Sequence, residues 1–153
     1  MNLRPTRRHV IATALALATA TFPVFAGELV STDSDNLALS GYDPVAYFTQ
    51  SRPVEGNPDI NLEWQGAKWQ FSSSEHRAMF EGNPEKYAPR YGGFCAGGMS
   101  LGRKTVVDPE AWMIVDGKLF MGGSQGAITY MEKDTDEKIA KADKNWETLG
   151  VTN

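Results

Sequence analysis

The chain has 153 residues and a formal net charge of −4, with 41% hydrophobic and 22% charged residues. This length suits one domain with its own core, and the composition is that of a folded protein rather than a disordered one. The acidic balance argues against nucleic acid as a partner, because proteins that bind phosphate backbones need basic surfaces.

Cysteine and histidine are scarce. The sequence contains a single cysteine, Cys95, and two histidines, His9 and His76. One cysteine cannot form an intrachain disulfide, and zinc sites made of four cysteines are excluded within one chain. Soft-metal, redox or nucleophilic chemistry must therefore depend largely on Cys95.

Residues 1–26 have the pattern of a cleavable export signal. Three arginines and no acidic residue precede an uncharged run over 10–26, which ends with small residues at Val24 and Ala26. This order of basic, apolar and small residues predicts cleavage before Gly27. The run is short for a membrane anchor, which needs about 20 apolar residues.

Residues 6–11 also resemble a twin-arginine signal, which implies export after folding, often with a cofactor already bound. We therefore expect a soluble periplasmic protein with no membrane span after cleavage. Removal of three arginines leaves 12 basic and 19 acidic residues, a net charge of −7.

The first half of the mature chain predicts a linker, a strand and a hairpin. Residues 27–40 are polar and predict a linker or an N-terminal arm. Residues 45–48 follow a turn and have β propensity. Alternating residues over 62–71 surround a Gly-containing turn, which indicates a hairpin. Ser72, followed by Glu75, predicts a helix N-cap.

Two helices and a glycine-rich segment are expected next. A helix over 74–82 and a shorter one over 84–87 are followed by residues 91–102, which contain five glycines. Asp116-Gly117 indicates a second hairpin, and mixed helical spacing predicts an amphipathic helix from about Thr135. The fold class predicted is α+β, a single small domain of short antiparallel hairpins with a few helices. No internal repeat is evident.

Three segments carry a family resemblance. Residues 41–48, 69–87 and 91–96 resemble an exported YHS-domain protein, and the likeness extends over residues 39–123. The domain would then comprise residues 41–150, including the C-terminal helix. YHS domains recur in proteins that handle heavy metals, including copper-transporting ATPases and some monooxygenases.

The resemblance also implies where a metal-binding pair would stand. In metal-associated members a Phe is followed by Cys, three spacers and a second Cys, which places the pair on Ser72 and His76 here. Both thiols are absent, and a serine hydroxyl is a poor ligand for soft cations.

Cys95 has three interpretations. It is a small buried hydrophobic residue in a glycine-rich turn, as free cysteines usually are. Alternatively it is a soft-metal ligand with His76 and Met99, a donor set that suits copper, Cu(I) above all. The third interpretation is a reactive thiol, which in an oxidising compartment must be buried or occupied to avoid mixed disulfides.

Other catalytic patterns are absent from the sequence. Asp43 and Asp108 each precede a proline, where a short carboxylate usually caps a turn. No two acids are brought together as in a glycosidase, and no nucleophile-elbow sequence accompanies His76.

The sequence therefore predicts a periplasmic YHS-domain protein that handles a transition metal, copper foremost, without catalysis. A dimer or a protein partner would complete the ligand set of Cys95, His76 and Met99. The alternative is a metal-free interaction module that docks a partner through an aromatic surface of Tyr42, Tyr47, Trp69 and Tyr91. A weaker alternative is a thiol-dependent enzyme or enzyme subunit that uses Cys95.

Overall fold

The computed structural model describes residues 29–150, which form six helices and four strands. The predicted signal peptide lies outside the described residues. In chain order the elements are α1 (Ala46–Thr49), β1 (Asn57–Trp64), β2 (Ala67–Phe71), α2 (Ser74–Gly82), α3 (Pro84–Tyr87), α4 (Ala96–Ser100), β3 (Asp108–Val115), β4 (Lys118–Gly122), α5 (Gln125–Glu132) and α6 (Thr135–Leu149).

The predicted α+β class is confirmed. β1 pairs with β2 and β3 pairs with β4, each as a separate antiparallel hairpin. The turns at Gln65-Gly66 and Asp116-Gly117 have positive φ at both residues, the geometry that favours tight hairpins. Both predicted hairpins and the helices over 74–82, 84–87 and from Thr135 are therefore present.

The two hairpins belong to a structural repeat that the sequence does not reveal. Each first strand makes one isolated pair, skips three residues and resumes pairing, and each hairpin leads into a helix capped by a serine hydroxyl. Corresponding residue numbers differ by 51. The pairs are Asn57 and Asp108, Asn61 and Trp112, Gly66 and Gly117, Phe71 and Gly122, and Ser73 and Ser124.

The repeat extends to the segments before the hairpins. A 3-10 turn (Leu39–Gly41) precedes α1, and a second one (Arg90–Gly93) precedes α4. The N–H of Asp43 donates to the carbonyl of Val54 at 2.8 Å, and the N–H of Cys95 donates to that of Thr105 at 3.0 Å. Cys95 in the second unit therefore occupies the position of Asp43 in the first, 52 residues later rather than the 51 that separate the hairpins.

The two units share their hydrophobic packing. The first core cluster is built around Trp69, Phe71 and Phe80 and also contains Leu119 and Met121 from the second hairpin. The second cluster packs α4 and α6 around Tyr91 and Phe120. Because apolar burial is the main stabilising contribution, the first unit does not complete its core alone.

The segment over 29–40, predicted as a linker or an N-terminal arm, packs onto the domain. Val30, Ala38 and Leu39 are buried in the first core cluster. At Gly92, where φ is +61°, a Cβ would approach the carbonyl oxygen of Leu29 to 1.8 Å. Glycine is therefore required where the N-terminal segment crosses the second 3-10 turn.

Two local predictions were wrong. Residues 45–48, expected as a strand, form most of α1, because Asp43 Oδ1 accepts from the N–H of Val45 and turns the chain into a helix. The N-cap of α2 is Ser73 rather than Ser72, and its hydroxyl accepts from the N–H of His76. Ser72 is engaged by Asp43 instead.

No helix between residues 29 and 150 is both long and apolar enough to cross a membrane.

Candidate functional site: the Asp43 cluster and Cys95

Asp43 is fully buried and lies at the centre of a polar cluster in the first unit. Its Oδ1 accepts from the N–H of Val45 at 2.9 Å. Its Oδ2 accepts from the N–H of Ser72 at 2.9 Å and from the Ser72 hydroxyl at 2.6 Å. A buried carboxylate is stable only when its oxygens are satisfied in this way.

His76 completes the cluster. Its Nδ1 lies 2.6 Å from Asp43 Oδ2, and its Nε2 lies 3.1 Å from Thr49 Oγ1. An ionised carboxylate only accepts hydrogen bonds, so the network assigns a proton to Nδ1, which donates to Asp43. The side chain of His76 is 11% exposed, and both ring nitrogens have partners within the protein.

The cluster contains serine, histidine and aspartate, but the serine does not stand where the nucleophile of a catalytic triad would. In a triad the histidine lies between the nucleophile and the carboxylate. Here the Ser72 hydroxyl donates directly to Asp43, and His76 Nε2 faces Thr49. His76 thus lies between Asp43 and Thr49, and the Thr49 hydroxyl also lies 3.1 Å from the carbonyl of Val45, which accepts from it. The arrangement therefore fixes α1, the end of β2 and α2 to one another.

Cys95 lies at the equivalent point of the second unit, with different neighbours. It is 4% exposed, caps α4, and its Sγ accepts from the N–H of Gly98 at 3.4 Å. Gly123 and Ala127 stand 51 residues after Ser72 and His76, and a Cβ at Gly123 would lie 3.7 Å from Sγ. The thiol thus lies beside Gly123 where the first unit has a polar cluster.

The predicted metal ligands fall in two different places. Cys95 and Met99 lie one turn apart on α4, and Met99 is fully buried. His76 belongs to the first unit, where Asp43 and Thr49 engage its nitrogens. Among residues 29–150, no group of three or more His, Cys, Asp and Glu side chains is placed to hold a metal ion.

The predicted aromatic docking surface is wrong. Tyr47, Trp69 and Tyr91 are at most 2% exposed, and only Tyr42 is partly exposed. The Tyr47 hydroxyl donates to the carbonyl of Pro109 at 2.9 Å, so its polar end is satisfied inside the protein. Burial raises the pKa of Tyr47, and burial followed by the hydrogen bond to Asp143 raises that of Tyr91.

Asp43 and Thr49 were not identified as site residues from the sequence. Asp43 does cap a turn, as expected, but its second oxygen reaches residues 29 and 33 positions later. No local pattern reports that contact, because the turn signal at an Asp-Pro pair is the same whether the carboxylate is buried or exposed.

Comparisons of the chain with protein-family models, curated proteins and solved structures give no match.

Proposed function

We propose that the chain is an exported, non-catalytic module of the YHS type that acts in the periplasm by binding a ligand or partner, without a metal at Ser72 and His76. The observation that carries this proposal is the engagement of both residues by Asp43. A metal at these positions would have to displace the hydrogen bonds of a buried carboxylate, which costs several kcal/mol by order of magnitude.

A thiol-dependent enzyme is less well supported. Thiol catalysis requires an accessible thiolate, which a basic neighbour or a helix N-terminus commonly stabilises. Cys95 does stand at the N-terminus of α4, but it is 4% exposed and lies against Gly123 within the protein. A substrate would reach the thiol only after α4 moved.

Copper handling through Cys95 is a second candidate. It is favoured by the position of Met99 on the same helix and by the main-chain bridge between Cys95 and Met121. One thiol and two thioether residues thus come from neighbouring backbone, and soft donors of this kind suit Cu(I). His76 could bind the same metal only after leaving the cluster in which Asp43 and Thr49 now engage it. Otherwise a ligand from a dimer or a partner would take its place.

Metal content separates the two candidates. We expect copper, zinc and iron well below one equivalent in protein purified from the periplasm, both for the native chain and for Cys95→Ser. Met113→Leu serves as a control, because Met113 lies on the second hairpin and packs against the second core cluster. One equivalent of copper that is lost in Cys95→Ser and kept in Met113→Leu would overturn the metal-free proposal and establish the copper candidate.

A further inference from the structure

A cleft opens where the two structural units meet. Trp64 at the end of β1 forms one side, residues 88–90 between the units form the base, and Trp146 on α6 forms the other side. Its volume is about 390 Å³. That volume lies within the range of small-molecule sites, which commonly form between packed units of structure.

The walls of the cleft are aromatic. Trp64 and Trp146 are half-buried, Trp69 and Pro89 are buried behind them, and Ala88 adds an apolar patch. Neighbouring rings hold Trp64 in place, because it makes edge contacts with Trp69 at 5.8 Å and Phe80 at 5.6 Å. Fixed indole rings favour planar or apolar ligands, which bury surface there at little cost in side-chain entropy.

Arg90 supplies the polar group of the cleft. Its Nη2 pairs with Asp143 at 3.0 Å, but its Nε is buried and has no hydrogen-bond partner. Among residues 29–150 it is the one buried side-chain nitrogen or oxygen without a hydrogen-bond partner. A buried donor without an acceptor is rare in native proteins and costs stability. Glu85 at the rim is exposed, so solvent screens its charge.

We propose that this cleft binds a small aromatic carboxylate. The ring lies between Trp64 and Trp146, and the carboxylate accepts from the guanidinium of Arg90, which matches carboxylates in shape and charge. An aromatic amine would use the same walls but would be repelled by the positive charge of Arg90. The proposal rests on the proposed function as a binding module and gives that module its ligand class.

Three probes of one shape test this assignment on the full chain: phenylacetate, phenylacetamide and phenethylamine. We expect phenylacetate to bind in calorimetric titration at least tenfold more tightly than the other two. Arg90→Lys keeps the charge but removes the Nε donor, and it should weaken phenylacetate binding about tenfold or more. Trp112→Phe is the matched control and should bind as the native chain does, because Trp112 contacts Tyr47 away from the cleft.

A measurement on the native chain keeps the test independent of folding in the variants. Phenylacetate should shift the indole N–H signals of Trp64 and Trp146 in NMR spectra and leave that of Trp112 unchanged. Equal binding of the amine, unaltered binding by Arg90→Lys, or no binding of any probe would overturn the proposal. The metal content of the same sample tests the metal-free proposed function separately. Failure of the ligand proposal is therefore distinguishable from failure of the proposed function.

Discussion

Asp43 illustrates how one buried residue determines the chemistry of its surroundings. Four donor groups converge on its two oxygens: two main-chain N–H groups, the Ser72 hydroxyl and the His76 ring. The second unit places Cys95 at the same point, with Gly123 beside its thiol. Cys95 is thus the counterpart of Asp43, a relation that only the repeat makes visible.

The loss of folding stability on removing the Asp43 carboxylate tests whether that group organises the cluster. Asp43→Ala leaves His76 and Ser72 without their acceptor in a buried site, and we expect the free energy of unfolding to fall by about 3–5 kcal/mol. Urea denaturation followed by circular dichroism measures it.

Asp108→Ala is the matched control for Asp43→Ala. Asp108 makes the same Asp-Pro turn, with its Oδ1 accepting from the N–H of Glu110 at 2.9 Å, but it is exposed. Its removal should cost about 1 kcal/mol or less. Equal losses in the two variants would show that Asp43 acts only through its turn.

At the scale of the elements, local chemistry predicts turns well and buried contacts poorly. Gln65-Gly66 and Asp116-Gly117 mark their hairpins because positive φ restricts the residues that fit. The β propensity over 45–48 failed because a helical turn there is fixed by Asp43 and carries Tyr47 into the core. Propensity is a weak guide wherever long-range packing decides the conformation.

Gly92 is a second place where an element depends on a distant one. Alanine at Gly92 would meet the carbonyl of Leu29 at 1.8 Å and would also adopt a positive φ, so we expect Gly92→Ala to displace the N-terminal segment and lower the thermal midpoint strongly.

Gly66→Ala is the control for the Gly92 variant. Gly66 also has a positive φ, of +78°, but a Cβ there meets no atom within 4 Å. It should therefore show only the conformational cost of about 1–2 kcal/mol. Similar thermal midpoints for the two variants would contradict the contact with Leu29.

At the scale of the whole molecule, the repeat joins two units that differ in chemistry and share packing. The Tyr47 hydroxyl bonds Pro109 across the units, and Leu119 and Met121 enter the first core cluster. The sequence does not reveal the repeat, because Asp43 with Ser72 and His76 has no likeness to Cys95 with Gly123 and Ala127. The two units have the same hairpin register and the same serine caps, whereas the side chains at the equivalent site differ.

Alkaline pH should destabilise the whole fold. Burial raises the pKa of Tyr47 and Tyr91 above the ordinary value of 10.0, so both phenols stay protonated in the folded state and ionise in the unfolded chain. Their contribution is complete below pH 10 and is lost above it, at about 1.4 kcal/mol per pH unit for each tyrosine. Urea midpoints measured from pH 8 to 11.5 record this decline.

Phenylalanine variants assign the alkaline decline to these residues. Tyr47→Phe and Tyr91→Phe together should flatten the slope, whereas Tyr130→Phe, at an exposed position, should leave it unchanged. An unaltered slope in the double variant would place the alkaline sensitivity elsewhere.

The central claim is that Asp43 engages His76 through hydrogen bonds and leaves no metal ligand at that position. NMR of the His76 ring during titration with Cu(I) or Zn²⁺ tests it most directly. The account predicts a slowly exchanging Nδ1 proton that persists, with unchanged ring nitrogen shifts, after one equivalent of metal. Loss of that proton together with a stoichiometric shift of a ring nitrogen would contradict it.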